Sequence, residues 1–567
     1  MSSLETHAGR AIGRMLFVTL LGCLVASIAG RNMPAPLAAT AAPEKFSAER
    51  AQAVVAEIAR APHPTGSKDQ ARVRSFLLER LRSLGFAAAT RRGNVDGLWL
   101  ENLIVRIPGS APTGTLVCLA HYDSVVSGPG AGDDSIGVAS WLETFRALRA
   151  RNWQPKNEVI LLLTDGEEQG LCGARLFLAD KQMPPIACAI NLEAIGNGGP
   201  ALLFQLGAEN GACVRAFASA VDAPAGTSLG DAVYRRMPND TDLTLFLERG
   251  IPGFNFAISS GTPAYHAPHD TPENLDPRSL QHMGECALAL TEQLSQADLQ
   301  ALRAPDLTFL DLLGWGVVHY PRAWDPLLCA LACALVLLAC WRARAHPVQL
   351  LRHAIRHSAE LVLGAALIAL LWWIVDAGVG FLAPPLERTA GNTTSGTLLF
   401  LGIIGLAAGF ELLRHRTDSS PVQVRACAIA LLWSVASFAA LRWLSGASYA
   451  FTWPLVLASI GLLATLRENT PRVAGWALAI GFAVSFLIGL PILHMLLQLM
   501  QIRPLVAILL TSAGIIPLVG LFSPAFERMR RDAPWAGRLL VSMGALALIA
   551  SVVVARVLVW RQGALLP

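Results

Sequence analysis

Five short stretches of this chain carry residue types that hold divalent metals and move protons, and they follow one another in order. They are His121-Tyr122-Asp123-Ser124, Gly130-Ala131-Gly132-Asp133-Asp134, Thr164-Asp165-Gly166-Glu167-Glu168, Ala189-Ile190-Asn191-Leu192-Glu193 and Tyr265-His266-Ala267-Pro268-His269-Asp270-Thr271. Each has an ordinary explanation when taken singly. A His or Asp near a strand end is usually a cap or a satisfied polar group, and two adjacent glutamates usually make a solvated turn. Together they ask for more, because each follows or closes an apolar run. Carboxylates gathered at one rim without counter-charges would repel one another and lose hydration. A pair of divalent ions resolves that conflict, and imidazole combined with carboxylate suits zinc among the common metals.

The elements that must position these groups are readable as alternating patterns. Ser47–Arg60 and Asp69–Leu84 show helical apolar spacing, and the turn cluster His63-Pro64-Thr65-Gly66-Ser67 lies between them. Asn102–Ile107, Thr115–Ala120, Val159–Thr164 and Ala187–Leu192 are continuous apolar runs, as expected of strands buried on both faces. Ser135–Arg149 and Gly173–Ala179 supply helices between the last three, and Gly253–Ile258 is a further apolar stretch before the final motif. Alternating strands and helices predict an α/β sheet covered on both faces. In such sheets ligands bind beyond the carboxyl ends of the strands, where these motifs fall.

Composition divides the chain. It has 567 residues, is 53% hydrophobic and has a net charge of +4, with a mean hydropathy of +0.47. That excess over a soluble protein is concentrated in eight apolar runs, at about 326–341, 359–382, 397–413, 426–444, 450–466, 474–499, 504–522 and 539–558. A shorter run at Met15–Gly30 follows Arg10 and Arg14 and reads as an uncleaved anchor. Arginines cluster in alternate loops, at Arg342–Arg356, Arg414–Arg425, Arg467–Arg472 and Arg528–Arg538. The positive-inside rule makes those loops cytoplasmic and exports residues 31–325. The expected organisation is an anchor and linker over 1–39, a catalytic domain over 40–300, a linker over 301–325 and a multi-span domain of about eight helices over 326–567. No basic patch interleaved with aromatics occurs, which excludes nucleic acid as a partner. The cysteines outside the apolar runs number five, with no CxxC pair, so neither a disulfide framework nor a thiolate metal site is indicated.

The stretches HYDSVVSGPGAGDDSIGVA, TDGEEQGLCGARLF, INLEAIGNGG, NDTDLTLF and YHAPHDT, with PHPTGS ahead of them, resemble in order the di-zinc aminopeptidase family. The match is to its membrane-bound branch of vacuolar membrane proteases and endoplasmic reticulum metallopeptidases, and it covers about residues 45–295. The resemblance implies a zinc-exopeptidase-like α/β/α sandwich with a mixed central sheet, followed by an all-α polytopic membrane domain. It implies two zinc ions per chain, held by His121, Asp133, Glu168, Glu193 and His266. Asp133 would bridge them, followed by a cis peptide to Asp134. Glu168 would share an ion with His121, and Glu193 with His266. Glu167 would be the general base, and Tyr265 would stabilise the oxyanion. Asp123 would orient His121, and Asp242 would be a structural or substrate-side acid. Secreted relatives carry aspartate where this chain has Glu193, a marker of the membrane branch. The implied substrates are peptides with a free N-terminus, and the implied setting is a lipid bilayer with the peptidase domain on the non-cytoplasmic side, periplasmic in a bacterium. A silent peptidase-like scaffold and a transporter with an attached peptidase are the alternatives, the second raised by Asp376, Glu411 and His494 in or beside apolar runs.

Overall fold

The computed structural model describes residues 18, 19, 22, 32–380, 393–414, 421–467, 471–499, 504–532 and 535–563. The chain divides into two compact units. Arg31–Arg322 forms one, and Met1–Gly30 with Ala323–Pro567 forms the other.

The first unit is built on a seven-stranded mixed sheet. Its strands are β1 (Ala88–Val95), β2 (Leu98–Ile107), β3 (Thr115–His121), β4 (Glu158–Thr164), β5 (Ile186–Ala194), β6 (Leu202–Leu206) and β7 (Gly253–Ile258). They lie in the spatial order β1-β2-β4-β3-β5-β7-β6. The four central strands, β4, β3, β5 and β7, run parallel. Antiparallel partners flank them on both sides. Every residue of β3 and β7 is buried, so their sequences read as largely apolar runs rather than an alternation, with Asn255 the polar residue inside β7.

Successive side chains of each central strand enter opposite layers. Leu116, Cys118 and Ala120 of β3 pack under α1 (Ala48–Ile58), α2 (Lys68–Ser83) and α3 (Ile136–Ala150). Val117 and Leu119 face the other way. They pack with Ala174 and Phe177 of α4 (Cys172–Ala179) and with Leu243 and Phe246 of α7 (Asp242–Glu248), where the rings of Phe177 and Phe246 stack at 6.2 Å. Each fully buried aliphatic or aromatic side chain contributes about 1.5–3 kcal/mol. Helix starts carry their own signals. Ser47 and Ser67 accept the amides of Arg50 and Gln70 at the starts of α1 and α2, and a Thr241–Thr244 capping box starts α7. The remaining helices of this unit are α5 (Gly211–Ala220), α6 (Ser228–Tyr234) and α8 (Pro277–Gln296).

The stretch expected as a linker, 301–325, is largely part of the fold. It contains the antiparallel pair β8 (Leu307–Asp311) and β9 (Val317–Pro321). β8 is buried throughout and bridges to Thr227 through Leu310, so burial holds it to this unit.

The second unit is helical. Among the described residues it contains α9 (Asp325–Arg342), α10 (Pro347–Gly380), α11 (Thr393–Arg414), α12 (Val422–Trp443), α13 (Tyr449–Thr465), α14 (Pro471–Leu499), α15 (Pro504–Leu521), α16 (Ser523–Asp532) and α17 (Ala536–Gly563). Each of the eight apolar runs of the sequence overlaps one of these helices among the described residues. Five spans, Arg322–Arg342, Pro347–Val375, Val422–Trp443, Val473–Ile492 and Ala536–Val554, are long and apolar enough to cross a membrane, and three shorter apolar helices accompany them. The remaining helix, α16, buries Phe526 and Met529 and occupies what the sequence presents as an arginine-rich loop. Apart from Val18, Thr19 and Gly22, the proposed anchor Met15–Gly30 lies outside the described residues, as do the side chains of Asp376 and His494.

Candidate metal centre

Sheet order decides which side chains meet. β3 and β5 are hydrogen-bonded neighbours, with Leu119 opposite Asn191. Two residues further along, His121 and Glu193 therefore emerge side by side, and His121 Nε2 lies 3.6 Å from Glu193 Oε2. The second oxygen, Glu193 Oε1, accepts the Asn191 side-chain amide at 3.2 Å. Asn191 also donates to Asn255 Oδ1 at 3.0 Å, and Asn255 donates to Thr241 Oγ1 at 2.8 Å. A line of amides thus fixes the glutamate from the start of α7.

Asp133 sits in the tight turn Ala131–Ser135 between β3 and α3, and its peptide bond to Asp134 is cis. Gly130 opens the turn with φ at 70°, and a Cβ there would lie 2.5 Å from Asp133 O. A Cβ on Gly132 would lie 2.4 Å from Gly196 O. Both positions therefore require glycine. The turn is tied down by Asp270, whose carboxylate accepts the Gly132 amide at 2.7 Å and the Asp133 amide at 3.2 Å.

Asp133 then faces two ways. Its Oδ1 is 3.1 Å from His121 Nε2, and its Oδ2 is 3.1 Å from His266 Nε2. His266 Nε2 is also 3.2 Å from Glu168 Oε2. Two clusters result: His121, Asp133 and Glu193 in one, and Asp133, Glu168 and His266 in the other. The donor atoms within each lie within 4.8 Å of one another. This corrects the expected pairing, in which Glu168 went with His121 and Glu193 with His266. The physical reason is that β5 adjoins β3 directly. Glu168 and His266 instead sit on loops beyond β4 and β7, and those loops meet above the sheet.

The donor set fits metal ions. His266 Nε2 and Glu168 Oε1 make no hydrogen bond, although His266 Nε2 stands about 3 Å from two carboxylate oxygens. Donor atoms that converge without hydrogen-bond geometry are arranged around a shared point. The electrostatics agree. Burial raises the Glu167 carboxyl well above its usual range, and Glu193, Asp242 and Asp133 add to that against the pull of His121. Burial raises Glu168 to about 7 despite its contact with His266. Burial pushes His121 down, but Asp123, Asp133 and Glu193 outweigh it and the imidazole rises. His266 likewise rises to about 10 against its burial, through Asp133 and Glu168. Asp133 falls to about 2, the two imidazoles overcoming its burial. Without divalent ions the site therefore retains protons as its counter-charge.

Asp123 stands beside His121, as expected, and also holds a neighbouring loop. His121 Nδ1 is 3.0 Å from the Asp123 main-chain carbonyl and 3.6 Å from the carboxylate. The carboxylate itself accepts the amides of Glu167 at 3.1 Å and Glu168 at 3.3 Å, and so holds the loop that carries both glutamates. Asp134 accepts the Gly137 amide at 3.1 Å and is raised by burial and by Glu193. Asp242 accepts the Thr164 hydroxyl, and burial raises it to about 7. Tyr265 is half-buried and stacks on the His266 ring at 3.8 Å. Burial and then Asp133 raise its phenol. His266 has φ at 55°, a sparsely populated region for a non-glycine residue.

Sequence reasoning passed over three supports. Asp270 lies inside the last quoted motif, four residues beyond His266. Asn191 is the polar break in an apolar strand, which was its signal. Asp165 accepts the Glu101 amide at 2.8 Å and the Thr65 hydroxyl at 2.9 Å, and so docks the PHPTGS turn against the end of β4.

Residues 102–291 match the model of peptidase family M28, and this part of the chain is a domain of that family. Among curated proteins, the chain is 32% identical over 231 residues to human endoplasmic reticulum metallopeptidase 1, covering 39% of this chain and 26% of that protein. It is 33% identical over 243 residues to the vacuolar membrane protease of Candida dubliniensis, covering 40% and 26%. The matched part thus spans about a quarter of the length of these relatives. Among solved structures, a glutaminyl cyclase of Porphyromonas gingivalis is 21% identical with a TM-score of 0.37, over 44% of this chain and 99% of that one.

Proposed function

We propose that this protein is a membrane-anchored zinc aminopeptidase that removes N-terminal residues from peptides. One observation carries the reading: the two oxygens of Asp133 are divided between two imidazole–carboxylate clusters, as a carboxylate shared by two ions would be. His121 and Glu193 would complete one position, and Glu168 and His266 the other. Two divalent ions held there would supply Lewis acidity toward a peptide carbonyl and a water. Glu167 takes a proton from the water that attacks the peptide carbonyl and passes it to the leaving amine, and its raised affinity for protons suits both transfers. Tyr265 donates its phenolic proton toward the carbonyl oxygen as negative charge builds there. Asp123 and Asp270 hold the Glu167 loop and the Asp133 turn in place. Burial raises the carboxyls of Asp134 and Asp242 beside the clusters, and the ammonium of a substrate's free N-terminus would favour their ionised forms. The arginine-rich loops of the second unit support an orientation with the peptidase domain on the non-cytoplasmic side.

The test is hydrolysis of free-amine and N-blocked fluorogenic peptides by the detergent-purified full chain, with metal analysis in parallel. Cleavage of the free-amine substrates alone, with about two zinc ions bound, is expected. Glu167→Gln should keep the metal and lose about 10²–10⁴-fold in kcat. A fully active Glu167→Gln enzyme removes Glu167 from the mechanism. Equal cleavage of blocked peptides replaces the aminopeptidase with an endopeptidase, and a chain that binds no metal would be a scaffold.

A further inference from the structure

The β8–β9 hairpin concentrates exposed apolar side chains more than any other described part of the peptidase unit. Leu312 is 41%, Trp315 78% and Val318 45% exposed, all within seven residues, whereas exposed apolar side chains on a soluble surface normally stand singly. The hairpin is also bracketed by apolar sequence at both ends. At its tip, the Asn32 amide donates to Leu313 O at 2.8 Å and the Asn32 side chain donates to Gly314 O at 3.5 Å. A Cβ on Gly314 would lie 2.4 Å from Asn32 O, so glycine is what lets the incoming chain close on the tip. Asn32 follows the apolar run 15–30 by two residues. At its base, β9 ends at Pro321 and the first span long enough to cross a membrane begins at Arg322.

Covalent continuity then restricts the hairpin. Its tip is pinned to the residue that leaves one apolar run, and its base joins the residue that enters another. The two ends are separated by five residues of strand, about 17 Å at the rise of an antiparallel strand. With the run 15–30 taken as a membrane anchor, both ends of the hairpin meet the bilayer surface, and an element so held lies along that surface rather than standing away from it. The exposed residues match this position, since an indole with an apolar body and a polar N–H is the side chain that gathers at the headgroup boundary.

We infer that the β8–β9 hairpin lies along the lipid headgroup region, with Trp315, Leu312 and Val318 inserted at the acyl boundary, so that it binds the peptidase unit to the bilayer surface. Its partner is the lipid bilayer, and zwitterionic phosphatidylcholine suffices because the strip is apolar.

The full chain is reconstituted into nanodiscs of phosphatidylcholine and of the same lipid brominated near the headgroup end of its chains. The emission of Trp315 is taken as the difference between the wild type and Trp315→Phe, a surface substitution that leaves the core untouched. Trp99 is the internal comparison: it is 74% exposed and lies on β2 toward the opposite sheet edge from β6, next to which the hairpin is bridged through Gly226 and Thr227. The brominated lipid should reduce the Trp315 signal at least about twofold and leave that of Trp99 unchanged, while aqueous iodide does the reverse. Lipid quenching of Trp315 no greater than that of Trp99 overturns the inference. So does a Trp315 signal that neither quencher reaches, which would place the hairpin against protein.

Discussion

Replacing Asp123 by asparagine separates two accounts of this residue. If its carboxylate mainly orients His121, the substitution weakens metal binding, and excess zinc restores activity. The structure places the imidazole Nδ1 on the main-chain carbonyl at 3.0 Å, a contact that asparagine retains. What asparagine loses is the charge that receives the amides of Glu167 and Glu168 at 3.1 and 3.3 Å. Its single carbonyl oxygen can serve one amide well, and its NH2 group then faces the other. Hydrogen bonds to an ionised acceptor are worth about 1.5–3 kcal/mol, roughly twice neutral ones, so neutralising the pair loses about 2–3 kcal/mol. At about 1.4 kcal/mol per decade, that limits the loss in kcat to roughly 30- to 150-fold if all of it appears as displacement of Glu167. The assay is kcat at saturating zinc, with metal stoichiometry measured on the same sample. A loss in this range with two ions still bound is expected. Full recovery of kcat on adding zinc would refute the loop-holding role.

Asp270→Ala leaves the buried amides of Gly132 and Asp133 without their acceptor and should destabilise the fold by about 2–4 kcal/mol. Its melting temperature should also gain less from added zinc than the wild type's, because Asp133 is no longer held; an unchanged melt would show that water replaces the carboxylate. His121→Ala and Glu193→Ala should each remove the same ion, so the double variant should bind no less metal than either single one. Losing a second ion in the double variant would restore the pairing of Glu193 with His266. Metal binding at pH 7 should release protons, because metal-free His266 titrates at about 10 and Glu168 at about 7 and both must deprotonate to act as ligands. Zinc affinity should therefore rise with pH across 6 to 8. Calorimetry in buffers of different ionisation enthalpy measures the release, and heats that do not vary with buffer would refute it.

The parts of this fold that were legible in the sequence are those whose physics is local. β3, β4, β5 and β7 are buried on both faces, so each is a largely apolar run, interrupted by Asn191 in β5 and Asn255 in β7, and the polar residues that end or follow these runs mark the functional rim. β1, with the sequence AATRRGNV, is an edge strand, half-exposed along its length. It carries no such run, and its pairing with β2 shows only in three dimensions. β8 and β9 were missed for a related reason: a five-residue strand in a stretch between a domain and a membrane segment looks like a linker until Thr227 is found bridging to it. The metal donors could be named as a set because each ends or follows an apolar run. The function of Asp270 could not be read, since its two amide partners lie 138 and 137 residues away.

The pairing of the donors shows where local reading stops. In sequence the strands run β3, β4, β5, but in space β3 lies between β4 and β5. That single permutation gives His121 two neighbours. On one side β5 brings Glu193 within 3.6 Å of its imidazole. On the other, β4 ends in the loop bearing Glu167 and Glu168, whose amides the Asp123 carboxylate holds. The Asp133 turn leaves β3 and crosses above this junction, so its carboxylate has one cluster on each side. A sheet with β4 outside β5 would separate Glu168 from Asp133 and leave a single cluster. The division of the site into two positions therefore follows from strand order, and no residue-by-residue reading of the motifs contains it.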